Sequence, residues 1–141
     1  MIYRRKQTNL SAIFAAKGHK KMYVVISGEK GEGKTTELLR LCATHLKEKK
    51  TVVFLTTKED YDGFASTLEE MGAKDLKHYY RPMYAKDLQS AMEVAPIIAH
   101  GPYDVIALDG YSKLDDKQYE ELMKLTNERG VIISTSQKYS N

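Results

Sequence analysis

Gly28-Glu29-Lys30-Gly31-Glu32-Gly33-Lys34-Thr35 fits the pattern G-x-x-x-x-G-K-[ST] without a gap. The spacing has a mechanical reason. Glycines let the backbone curl until successive N–H groups point inward at phosphate oxygens. Lys34 then reaches the outer phosphates as a point charge, and the Thr35 hydroxyl can bind Mg²⁺. The context agrees with the pattern. The apolar run Met22–Ser27 (MYVVIS) leads in and reads as a buried strand. Thr35–Lys49 leads out as a helix with Leu38, Leu39, Cys42 and Leu46 on one face, and it aims its positive end at an anion. Gly28, Glu29, Lys30, Gly31, Glu32, Gly33, Lys34, Thr35 and Thr36 are therefore the expected phosphate-binding residues. Glu29 and Glu32 should face solvent, because carboxylates turned inward would repel the ligand. A glycine-rich turn without a ligand is the plainer alternative.

The pattern around this loop alternates strand and helix. Thr51–Thr57 (TVVFLTT) is apolar and β-branched, so it reads as a strand. Tyr61–Met71 places Phe64, Leu68 and Met71 at helical spacing and stops at Gly72. Lys77–Arg81 is a weaker strand ending before Pro82, and Asp87–Ala99 is helical in pattern, kinked or restarted at Pro96. Asp104–Asp109 (DVIALD) is the clearest buried strand. Asp115–Arg129 reads as a helix closed by Gly130, with Tyr119, Leu122, Met123 and Thr126 facing inward. Val131–Ser136 is the fifth strand. Alternation of this kind predicts a parallel sheet covered on both faces, with ligands at the carboxyl ends of its strands.

The chain of 141 residues suits one domain, residues 1–141, and 42% hydrophobic content is enough for a core. No apolar run approaches the roughly 20 residues that a membrane helix needs, and the N-terminus does not read as a secretory signal. A single cysteine, Cys42, excludes an intrachain disulfide and a cysteine-rich zinc site, so a cytoplasmic setting is expected. The net charge of +3 says little by itself. Residues 1–20 read as a basic arm or helix in which Arg4, Arg5, Lys6, Lys17 and Lys20 stand without an acid, continued by Lys21. Such an arm can meet the phosphate backbone of DNA, but a solvated terminus is the commoner role.

Three further positions are candidates for chemistry. Asp109 ends the apolar strand Val105–Leu108, which is the pattern of a carboxylate that holds the metal's water shell. The residue after it is Gly110, where many ATPases carry a water-activating glutamate. Glu59 and Asp60 follow the second strand at the same sheet edge, and either can orient water. Gln137 follows the fifth strand, after Ser134, Thr135 and Ser136, and its amide is a candidate sensor of the terminal phosphate.

Together these residues resemble the RecA-like ATPase core of recombinases, DnaB-type helicases and KaiC-like proteins. The stretch Tyr80–Gln137 (YRPMYAKDLQSAM…YDVIALDGYSKL…VIISTSQ) is similar segment by segment, and the likeness spans about residues 20–137. It implies a three-layer α/β sandwich around a five-stranded parallel sheet, ordered by starting residue 22, 131, 103, 51, 77. It also implies ATP and Mg²⁺ as cofactors. Lys34, Glu59 and Gln137 become the catalytic set, with Glu59 as base and Gln137 as sensor, and Thr35 and Asp109 the metal ligands. The chain stops short of the usual further strands, DNA loop and trans-acting arginine of that family. TTELLRL and DVIALDGYSKLDD…ERGVIIS also resemble the thymidine kinase core, which carries a glutamate where Gly110 stands and a zinc-bearing lasso absent here.

The sequence thus points to a minimal ATPase of the kind a phage or mobile element encodes. It would work in DNA replication, recombination or packaging, with a homo-oligomer supplying the missing arginine. A non-catalytic ATP-binding regulatory module and a nucleoside kinase are the alternatives.

Overall fold

The computed structural model describes residues 9–15, 21–29, 31 and 33–137. Eleven elements follow one another. They are β1 (Asn9–Ala15), β2 (Met22–Gly28), α1 (Lys34–Lys47), β3 (Val52–Thr56), α2 (Asp62–Glu70), α3 (Leu76–Tyr79), β4 (Tyr80–Tyr84), α4 (Leu88–Ala99), β5 (Tyr103–Asp109), α5 (Asp116–Met123) and β6 (Thr126–Gln137). One sheet holds all six strands in the order β1-β2-β6-β5-β3-β4. The five strands from β2 to β4 are parallel, and β1 adds to the edge antiparallel to β2.

The parallel strands stand in the order expected for starts near 22, 131, 103, 51 and 77. Their hydrophobic alternation explains the layers. Val53, Leu55, Ile106, Leu108 and Ile132 face one side and pack against Ala91, Ala95 and Ala99 of α4 and Tyr119, Leu122 and Met123 of α5. Val52, Phe54, Val105, Ala107 and Ile133 face the other and pack against Leu38, Leu39, Cys42 and Leu46 of α1 and Leu68 of α2. A sheet buried on both faces needs apolar residues at consecutive positions, which is why all five residues of β3 are buried. The result is an α/β sandwich of three layers.

Several expected boundaries are corrected. The segment expected as a strand from Lys77 opens instead with the helical turn of α3, where Asp75 C=O accepts from His78 N at 2.9 Å. The strand that follows, β4, runs through Pro82. Proline is tolerated there because β4 is an edge strand and owes hydrogen bonds on one side only. Helix α4 continues through Pro96 to Ala99 without interruption. Helix α5 ends at Met123, and Thr126–Arg129, expected as its last turn, belong to β6.

The cause of that last difference is local. Thr126 pairs with Tyr103, its hydroxyl donates to Met123 C=O at 2.8 Å, and Tyr103 N donates to Leu125 C=O at 2.9 Å. The register then slips, with Val105 opposite Val131, so residues 127–130 form a bulge. Gly130 does not cap a helix. It lies so close to Thr126 that a Cβ there would stand 2.1 Å from the threonine Cβ.

The segment expected as a basic arm or helix is corrected in part: Asn9–Ala15 is the strand β1, which pairs with β2 and makes a sixth strand beside the five expected, and Lys21 donates to Met123 C=O at 2.7 Å. Arg4, Arg5, Lys6, Lys17 and Lys20 lie outside the described residues. Among the described residues no helix is long and apolar enough to cross a membrane.

Candidate functional site

The carboxyl ends of β2, β3, β5 and β6 meet the start of α1, and a cavity opens where they converge. Its inner part, about 170 Å³, is lined by Lys34, Thr35, Thr57, Lys58, Asp109, Gly110, Tyr111 and Thr135. Its outer part, about 690 Å³, extends over Gly31, Gly33 and Thr36. That size suits a small ligand.

The loop owes its shape to its glycines. Gly31 and Gly33 take φ of +86° and +85°, in the left-handed region that L side chains rarely adopt. Gly33 is the N-cap of α1 and offers no side chain, so the helix opens with N–H groups not used by a cap. Glu29 is exposed, as expected, while Lys30 and Glu32 lie outside the described residues. Lys34 Nζ donates to Gly28 C=O at 2.8 Å, which folds the lysine back over the loop.

Asp109 sits at the floor, 3% exposed. Thr35 Oγ1 donates to its Oδ1 at 3.0 Å, and Thr56 Oγ1 to its Oδ2 at 3.3 Å. Burial pushes its carboxyl above the ordinary range; the Thr35 hydroxyl, the charge of Lys58, the Thr56 hydroxyl and the charge of Lys34 oppose this without cancelling it. The donor set is all oxygen, a carboxylate beside a hydroxyl. That chemistry suits a hard cation such as Mg²⁺, which is held by one or two carboxylates plus ligand phosphates. Among the described residues no group of three or more His, Cys, Asp and Glu gathers for a metal, so such a cation would need the ligand's own oxygens.

Gly110 is fixed by its surroundings. Its φ is +94°, its N–H donates to Thr135 Oγ1 at 3.0 Å, and a Cβ there would lie 2.2 Å from Thr57 Oγ1. The position has no room for a side chain, glutamate included.

The structure brings Lys34, Thr35 and Asp109 together. Glu59 and Asp60 are exposed in the turn after β3 and line neither part of the cavity. Gln137 closes β6 beside Gly28 in its backbone, and its side chain lies outside the described atoms. Of the hydroxyls before it, Thr135 lines the site and Ser134 meets Tyr119 Oη at 3.3 Å within the core. Sequence reasoning missed Thr56, Thr57, Lys58 and Tyr111. Two threonines closing an otherwise apolar strand at its carboxyl end were the available signal.

No protein-family model and no curated protein matches the chain. Among solved structures it is similar to the crystal structure of SulA from Pseudomonas aeruginosa, with 13% identity and a TM-score of 0.55 over 82% of this chain and 97% of that one. An identity this low shows the fold alone. The family reading is corrected on these findings: no family model and no curated protein supports an ATPase family for this chain, and the solved structure it resembles is SulA. The RecA-like identity, the kinship with recombinases, helicases and thymidine kinase, the Walker-motif and ATPase labels, and a role in phage DNA replication, recombination or packaging are all withdrawn. What remains to be explained is the cavity and the side chains that line it.

Proposed function

We propose that this chain binds a phosphorylated small molecule together with a divalent cation at the carboxyl edge of its sheet. One observation carries the reading: Thr35, the second residue of α1, meets a buried carboxylate, Asp109, beneath a cavity that Lys34 also lines. The open end of a helix and a lysine both favour an anion, and the carboxylate–hydroxyl pair favours a cation. A phosphate ester with its metal offers both charges at once. Lys34 and the N–H groups of Gly31, Gly33 and Lys34 would take phosphate oxygens, and Thr35 and Asp109 would hold the cation. The cation would neutralise phosphate charge and orient the ligand. ATP and inorganic triphosphate, each with Mg²⁺, belong to this ligand class and are the probes to test first. The reading concerns binding and assigns no turnover.

Isothermal titration of the purified chain with ATP and with inorganic triphosphate, each with and without Mg²⁺, tests this. Binding that needs Mg²⁺ and disappears in Lys34→Ala is the expected result. Unchanged binding in Lys34→Ala, or none by the unaltered chain, rejects the site.

A further inference from the structure

We infer that Lys58 is a second phosphate-binding cation of this site, closing on the ligand from the side opposite Lys34 and setting its preference for highly charged phosphates. The inference rests on the reading above. Lys58 comes from the turn after β3, not from the glycine loop, yet it lines both the inner and the outer part of the cavity. Lys34 and Thr35 line it from the start of α1.

The turn that carries Lys58 is bolted to the floor of the site. Lys58 N donates to Thr56 Oγ1 at 3.1 Å, and the same hydroxyl donates to Asp109 Oδ2. Thr57 N donates to Asp109 C=O at 3.2 Å. The backbone that carries Lys58 is thus tied to Thr56 directly and to Asp109 through Thr56 and Thr57, which fixes where its side chain starts. Its charge also reaches Asp109, and its effect on the Asp109 carboxyl exceeds that of Lys34. Glu59 and Asp60 follow directly, but among the described residues Lys58 forms no ion pair with either.

Two ammonium groups facing one buried carboxylate make a site whose affinity should climb with ligand charge. A monophosphate can satisfy one lysine and a triphosphate both. Lysine also suits the role in kind, as a flexible point charge for phosphate.

The test compares the parent chain with Lys58→Met, Lys58→Arg and Lys34→Ala, titrated with AMP, ADP, ATP and inorganic triphosphate in Mg²⁺. Lys58→Met should weaken both triphosphates about tenfold, the scale of one charged hydrogen bond, and AMP far less. Lys58→Arg should restore most of the loss. Because the side chain is exposed, the thermal midpoint of each Lys58 variant should match the parent. Equal affinities for parent and Lys58→Met, alongside loss in Lys34→Ala, would overturn the inference and leave the site standing. An equal loss for AMP and triphosphate would overturn the charge preference. No binding by the parent chain would overturn both readings together.

Discussion

Replacing Gly110 by alanine should destabilise this protein well beyond an ordinary glycine replacement, and the amount can be built from two terms. The first is conformational. Gly110 has φ +94°, and an L residue held in the left-handed region costs about 1–2 kcal/mol. The second is steric. The added Cβ would stand 2.2 Å from Thr57 Oγ1 and 3.3 and 3.4 Å from the other Thr57 side-chain carbons. Thr57 cannot swing aside freely, because β-branching restricts its χ1 and its N–H is bonded to Asp109 C=O. Relieving such a clash typically costs ~1–3 kcal/mol. Gly31 isolates the first term: its φ is +86°, and a Cβ added there would meet nothing within 4 Å among the described residues. Gly31→Ala should therefore lose only the conformational part. At roughly 3 °C per kcal/mol for a domain of this size, Gly110→Ala should melt roughly 3–9 °C below Gly31→Ala. Differential scanning calorimetry of the ligand-free variants measures the gap. Equal midpoints would refute the steric account and mean that the turn after β5 moves freely.

Two further predictions need only stability measurements. Asp115 Oδ1 accepts from Gln118 N at 2.8 Å while Gln118 Oε1 accepts from Asp115 N at 2.9 Å, so Asp115→Ala should cost about 1 kcal/mol in urea unfolding and Asp115→Asn clearly less; equal losses would show that this capping box does not hold α5. Burial pushes the Tyr119 phenol up to about 12, and those of Tyr80 and Tyr111 also upward. A phenol protonated in the fold and ionised in the unfolded chain favours unfolding as pH rises, so stability should hold below pH 10 and fall between 10 and 12. Phenolate absorbance should then show these three tyrosines ionising only as the fold is lost, and the Tyr119→Phe variant should lose less stability over that interval; smooth titration of all ten with the fold intact would contradict the burial argument.

The sheet was legible because its strands are buried on both faces, which forces uninterrupted apolar runs such as VVFL and VIAL that helices do not need. The weak places were those where tertiary contacts outvote local pattern. Thr126–Arg129 carries helical spacing, yet Thr126 gains a strand partner in Tyr103 and a hydroxyl bond to Met123 C=O. Tyr80–Tyr84 contains a proline, which argues against a strand until its edge position is known. The family reading failed for another reason. A loop, an aspartate after a strand and a matching strand order are compatible with more than one lineage, and the structural likeness to SulA carries the fold alone.

Within the site, what was legible was whatever a fixed spacing encodes. Lys34 and Thr35 follow from the glycine pattern, and Asp109 from an apolar strand that ends in an acid. Thr56 and Lys58 follow from no spacing, because their place depends on β3 lying directly beside β5, with Thr56 opposite Asp109 in the register. Strand neighbours 53 residues apart in sequence thereby share one hydrogen-bonded carboxylate. Attention to acids at that sheet edge singled out Glu59 and Asp60, which the turn leaves exposed. The same turn presents Lys58 to the cavity. The residue that this turn brings to the cavity lining is thus a base, Lys58, where an acid was expected. That reversal makes the contrast between Lys58→Met and Glu59→Gln informative: the first should weaken triphosphate binding, and the second should leave it unchanged.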